Sequence, residues 1–228
     1  MTSLSDSVVL VVGASGGLGS RISARLVEAG STVIRAGGTS SSLTGPDAFL
    51  ADLRQEASAA ALIEAAVSAH GRLDGLVIAA GVVAFGPIGE LTDDTVRELF
   101  AINTTAPIGL IRAALPHLTA SAKEGRDPFI LTLSGVVSEA PTAGLAAYSA
   151  SKSALAAFTQ AASRELRRAG IRIVDARPGH TETGLATRPI AGVAPAFPTG
   201  YDPDDVAERI VRAIADGEKD LPSTAFTA

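Results

Sequence analysis

The stretch Val8-Val9-Leu10-Val11-Val12-Gly13-Ala14-Ser15-Gly16-Gly17-Leu18-Gly19 decides how the rest of the chain is read. A short valine-rich run broken by glycine is the mark of a strand buried on both faces, as in a parallel sheet. From Leu18 to Ala29 the apolar residues take helical spacing, and the run ends at Gly30. The glycines therefore stand where a strand meets a helix amino terminus. Backbone N–H groups and the helix dipole at such a junction favour a phosphate or pyrophosphate. Gly13 allows the tight turn, Gly17 lets backbone approach a ligand, and Gly19 permits close packing of helix on strand. No Gly-Lys-Ser/Thr follows, which excludes a nucleoside triphosphate P-loop. A merely tight turn is the plainer alternative; placement in the first strand-helix unit of an alternating chain favours a dinucleotide.

Working outward, the pattern predicts strands at Ser7 to Val12, Thr32 to Ala36, Ala48 to Ala51, Leu73 to Ala79, Phe129 to Ser134 and Ile171 to Ala176. Helices are expected over Gln55 to His70, Thr92 to Leu118 with an interruption near Pro107, Tyr148 to Arg168, and Asp204 to Asp216. Gly37 to Asp47 is too short and too rich in turn residues for a crossover helix, so a loop is expected there. The tail from Glu218 can add one short strand. Alternation at this spacing implies a single α/β domain over residues 1–228: a Rossmann-type doubly wound parallel sheet of about seven strands with helices on both faces.

Of the 228 residues, 46% are hydrophobic and 19% charged, enough for one substantial core. The net charge of -5, with no basic block longer than Arg167-Arg168, draws the chain toward neither nucleic acid nor an anionic membrane. With no cysteine, disulfides, thiolate metal sites and thiol catalysis are excluded together. His70, His117 and His180 are too scattered for a metal site. The polar start, Met1 to Ser7, lacks the pattern of a signal peptide, and the apolar runs read as shorter than a membrane span; a cytoplasmic protein is expected.

Tyr148-Ser149-Ala150-Ser151-Lys152 places a phenol and an ammonium one helical turn apart. A phenol with a pKa of about 10 is a poor base near neutrality. An adjacent ammonium is expected to lower that value and make the proton available for acid/base work on an alcohol or carbonyl.

With these residues in order, the chain resembles the short-chain dehydrogenase/reductase family over nearly its whole length. Gly13, Gly17 and Gly19 match its cofactor turn, whose intervening Ser15, Gly16 and Leu18 would share the contact; Asp52-Leu53 matches the pair that meets adenine. The run from Leu73 to Ala80-Gly81 looks like its fourth-strand signature, Asn103 its helix asparagine, and Pro178-Gly179 with Thr183 the segment holding the nicotinamide. The resemblance implies an NAD(P)-dependent oxidoreductase moving hydride between nicotinamide and a carbonyl or carbinol carbon. In it Tyr148 would exchange the proton, Lys152 would tune Tyr148 and bind the ribose, and Asn103 would hold a water leading to solvent.

Two departures stand out. The family's serine, thirteen residues before the tyrosine, is here Gly135. Pro141 suggests a one-residue gain in the loop that returns Ser134 to the working position; Ser138 is the second choice, and loss of the serine a third. After the second strand stand Gly37 and Gly38, so the acid that marks NAD is missing, and so is the usual arginine for NADP. Arg35, Thr39 and the serines from Ser40 could meet a 2'-phosphate, which tips the reading slightly to NADP over NAD; Arg35 as a plain surface residue is the alternative.

Val83, Phe85 and Val136 suggest an apolar substrate pocket for a small carbonyl or alcohol. The loop after Gly179, with Pro189, Gly192, Pro195, Pro198 and Gly200, suits either a mobile flap or an ordinary surface loop; His180 and Glu182 can serve recognition or simply hold the turn. Alanines at 154, 156, 157, 161 and 162 offer a small face for a homodimer. The rival class is a binding or scaffold protein without turnover, which Gly135 favours; sugar-nucleotide chemistry is disfavoured for want of a second domain.

Overall fold

The computed structural model describes residues 2–39 and 41–226. Six strands, β1 (Val8–Val12), β2 (Thr32–Gly37), β3 (Ala48–Leu50), β4 (Gly75–Ile78), β5 (Phe129–Leu133) and β6 (Arg172–Ala176), form one parallel sheet ordered β3-β2-β1-β4-β5-β6. The central strands are buried throughout because helices cover both faces. Along β1 the side chains alternate between two cores. Val9 and Val11 join Ile22 and Leu26 of α1 (Gly17–Glu28) and Ile210 and Ile214 of α6 (Pro203–Asp216). Leu10 and Val12 join Ile63 of α2 (Glu56–His70) and Ile111 of α4 (Ala106–Lys123).

The long central helix carries the interruption expected near Pro107. Here α3 (Asp93–Phe100), a π turn (Ala101–Thr105) and α4 run on without a break. A proline has no N–H and its ring crowds the carbonyl one turn back, so a wider turn just before it relieves both problems. The whole run, Asp93–Lys123, spans 31 residues and is long and apolar enough to cross a membrane by length and composition, where shorter stretches were expected. Its Leu99, Leu110, Ile111 and Leu118 are instead buried in the fold.

Between β2 and β3 no helix occurs among the described residues, in line with the turn-rich sequence. A seventh strand is reduced to a single bridge, Ala176 to Leu221, since Pro222 has no N–H with which to continue a ladder. The segment after Gly179 is a strap rather than a free loop. Ile190 N–H donates to Val83 O at 2.8 Å and Phe85 N–H to Ala191 O at 2.9 Å. Thr181 bridges Tyr201 at its far end.

Candidate active site

At the carboxyl ends of the strands, where the order reverses between β1 and β4, lies a cavity of about 660 Å³. That is the crevice an open parallel sheet offers to ligands. Gly13, Asp52, Ala80, Tyr148, Lys152 and Thr183 all line it, so segments far apart in sequence meet in one place.

The glycine turn is tight enough to account for its composition. Gly13 has φ +88°, and a Cβ there would lie 2.5 Å from Ala80 N. A Cβ on Gly19 would lie 2.1 Å from Gly13 O, so helix and turn touch backbone to backbone. A Cβ on Gly17 would strike Thr183 at 2.6 Å; that glycine makes room for the strap as well as for a ligand. The first turn of α1 has no acidic residue and no side-chain cap, which leaves its N–H groups open to an anion. Ser15, Gly16 and Leu18 line the same cavity, as do Leu53, Gly81, Pro178 and Gly179. This cradle fits a dinucleotide.

Tyr148 and Lys152 stand on α5 (Ala146–Leu166), with the ammonium 6.0 Å from the phenol ring centroid and donating to Leu133 O at 2.7 Å. Burial pushes Lys152 down to about 8, with Asp175 opposing the shift, and pushes Tyr148 up to about 12. The lowering of Tyr148 expected from its lysine is therefore not what the protein alone produces. Loss of water around the phenolate outweighs an ammonium that is itself short of water. Asn103 is fully buried in the π turn: its Oδ1 accepts from Val82 N–H, and its Nδ2 donates to Val82 O and Ser151 Oγ. In the structure it braces the strand end beside Lys152.

Neither candidate serine has its proton free. Ser134 has no exposure and donates to Asp175 Oδ2 at 2.5 Å, while Thr132 donates to Asp175 Oδ1 at 2.8 Å. Ser138 donates to Gly135 O at 2.7 Å. Gly135 has φ +72°, and its N–H, like that of Ser134, bonds Ala176 O. Ser134 lines the cavity next to Gly135, with its hydroxyl donating to the buried Asp175. Beneath this loop Arg177 pairs with Glu139, with Asp175 at 3.2 Å and with Asp220 of the tail at 2.7 Å.

The opposite end of the cavity holds Gly37, Gly38, Thr39, Asp52 and Arg54. Arg54 grips Asp52 by two bonds, Nε to Oδ1 at 2.8 Å and Nη2 to Oδ2 at 3.1 Å, and holds that carboxyl below its ordinary range. Arg35 donates to Thr44 O at 2.8 Å and is not among the residues lining the cavity, which favours the surface reading of the two it was given. Ser40 lies outside the described residues. A Cβ on Gly38 would meet nothing within 4 Å.

The family model described as short chain dehydrogenase matches residues 7–191. The chain belongs to the short-chain dehydrogenase family. An uncharacterized oxidoreductase of Methylorubrum extorquens is 33% identical over 91% of this chain and 90% of its own length. The human (3R)-3-hydroxyacyl-CoA dehydrogenase is 28% identical, covering 90% and 87%. Among solved structures, a short chain dehydrogenase from Burkholderia cenocepacia in complex with NADP superposes with a TM-score of 0.81 at 25% identity, covering 97% and 98%. A 3-ketoacyl-(acyl-carrier-protein) reductase from Brucella melitensis with NADH shares the fold with a TM-score of 0.84 at 24% identity, covering 98% and 99%. Nicotinamide-dependent oxidoreduction is thus the activity of this chain.

As a short-chain dehydrogenase, the protein brings the glycine turn, Asp52, Ser134, Tyr148, Lys152 and Thr183 into one cavity, with the Ser134 hydroxyl donating to Asp175, while Asn103 stands outside the lining, bonded to Val82 and Ser151. Sequence reasoning missed Arg54, Glu98 and Arg188, which also line the cavity. For Arg54 a signal existed, since an arginine two residues after an acid at a strand end can turn back on it. The other two depend on how distant loops fold.

Proposed function

We propose that this chain interconverts a small or medium apolar carbonyl and its alcohol, with NADP(H) preferred over NAD(H). The observation that carries the reading is the pair Tyr148 and Lys152 sharing one cavity with an uncapped glycine turn. The bound nicotinamide supplies or accepts the hydride. Tyr148 as the phenol donates to the carbonyl oxygen in reduction, and as the phenolate takes the alcohol's proton in oxidation. Lys152 as an ammonium steadies the phenolate that results and, with Tyr148, offers donors to the ribose. Asn103 positions the wall segment at Val82, and Ser134 positions the turn at Gly135 through Asp175. Phe85, Val136, Val137, Leu185 and Phe197 give the other side of the cavity an apolar lining.

The NADP preference rests on the open space at Gly38, the absence of an acid at Gly37 and Gly38, and Arg54 beside them. Exposed Ala157 and Ala161 on α5 support a homodimer through that helix, while Ala162 belongs to the core. A cytoplasmic setting belongs to the same reading, supported by the packing of the long apolar helix inside the fold. A second reading, cofactor binding without turnover, draws on Gly135 and the engaged Ser134. The test follows nicotinamide absorbance with a panel of apolar ketones and quinones, using wild type and Tyr148→Phe with each cofactor. Turnover that collapses in the variant supports the enzyme; tight cofactor binding with no turnover across the panel favours the binding protein.

A further inference from the structure

The cavity's basic groups differ in how they are employed. Arg54 is paired with Asp52, and Lys152 is bonded to Leu133 O. Arg188 lines the same cavity, yet among the described residues no carboxylate lies within salt-bridge reach of it. Its Nε donates to Gly184 O at 3.0 Å, which fixes the stem and leaves the two terminal nitrogens available.

The backbone under Arg188 is anchored. Ile190, two residues on, bonds Val83 O, and a Cβ on Gly192 would lie 1.9 Å from Phe85 O, so the strap is pressed against the segment 83–85. Other strap side chains are mutually engaged: His180 stacks on Phe197 at 4.7 Å, and Glu182 accepts from Gly200 N–H at 2.8 Å. Against the apolar lining of Phe85, Val137, Leu185 and Phe197, the guanidinium of Arg188 is an unpaired positive charge in a protein of net charge -5.

We propose that Arg188 is the specificity residue of the substrate side, receiving an anionic oxygen, carboxylate or phosphate, carried by the substrate away from its reacting carbonyl. The inference rests on the oxidoreductase reading and narrows it from any apolar carbonyl to one with an acidic end. A guanidinium fork meets such a group through two parallel charge-assisted bonds, which a neutral ester cannot reproduce. The cofactor's own phosphates are the competing source of anionic oxygen, but the open amino terminus of α1 already provides for them.

The test uses a medium-chain keto acid and its methyl ester, which share one carbonyl, at pH 7 where the acid is ionised. Wild type, Arg188→Gln and Arg188→Lys are compared by kcat/KM for each compound, by NADPH affinity from fluorescence, and by the Tm shift each compound adds to the NADPH complex. The expected result is a preference for the acid that falls about 10- to 100-fold in Arg188→Gln. Arg188→Lys should recover part of it, with NADPH affinity held within about twofold. Equal loss for acid and ester, no preference in wild type, or a loss confined to NADPH affinity overturns the proposal, the last assigning Arg188 to the cofactor. If neither compound turns over, the oxidoreductase reading fails on its own. The Tm shifts then still decide, since an acid-selective shift that vanishes in Arg188→Gln upholds the anion site and its absence rejects it.

Discussion

The two ends of the cavity are built on opposite terms. Around Tyr148 the groups are desolvated and fully bonded: Asn103 has no exposure, Lys152 only 6%, and Ser134 gives its proton to a buried carboxylate. Around Asp52 the partners are exposed, the Arg54 side chain keeping 57% of its accessible surface. A charge in a dry setting acts strongly and must be held in one geometry, whereas an exposed pair is worth little and is easily replaced. Reaction chemistry is thus lodged where substitution is costly, and the choice between cofactors where it is cheap.

The comparison breaks first at Tyr148. Replacement by phenylalanine should lower kcat by about a thousandfold or more, with cofactor affinity nearly unchanged. A comparable loss of kcat on changing the Asp52 end would end the division. The second effect is one of pH. Lys152 carries its charge below about 8, so ketone reduction should fall as pH rises through that value, and Lys152→Arg should carry the falling limb upward. Stability runs the other way. Between about 8 and the ordinary 10.5 the unfolded chain binds the proton that the native one has lost, so stability rises with pH across that window, a slope that Lys152→Met should remove in paired thermal melts.

Smaller effects sharpen the picture at the exposed end. Gly38→Asp places a carboxylate in open space where a 2'-phosphate would lie, and should move the ratio of kcat/KM values toward NADH by about tenfold or more. Arg54→Gln should cost NADPH preference only about fivefold, because the guanidinium is shared with Asp52 and well hydrated. Parallel changes with both cofactors would mean that Arg54 serves adenine rather than the phosphate.

Much of this was legible in residue order. Val8 to Gly19 announces a strand, a turn and a helix through local patterning alone, and Pro107 announces the disturbance that became the π turn. What escaped depends on contacts between distant residues. The acceptor for Ser134 is Asp175, 41 positions away on β6, and no spacing around Gly135 reveals it. The rise of Tyr148 to about 12 follows from the protein packed around it, which the four-residue interval to Lys152 does not express. Arg35 reads equally as a cofactor contact or a surface residue, and only the fold of the loop after β2 shows Thr44 O as its partner.

The bridge from Ala176 to Leu221, together with the pairing of Arg177 and Asp220, gives the protein a direction in time. Domains fold from the amino end as they leave the ribosome. A nascent chain that has exposed α5 already owns Tyr148 and Lys152, but the junction of Glu139, Arg177 and Asp220 under their loop awaits the last dozen or so described residues. Protease resistance of ribosome-bound chains of increasing length should therefore step up only after residue 221 has emerged, and an earlier step would show that the tail is dispensable to the closure. Until then the nascent chain holds an unfinished cleft.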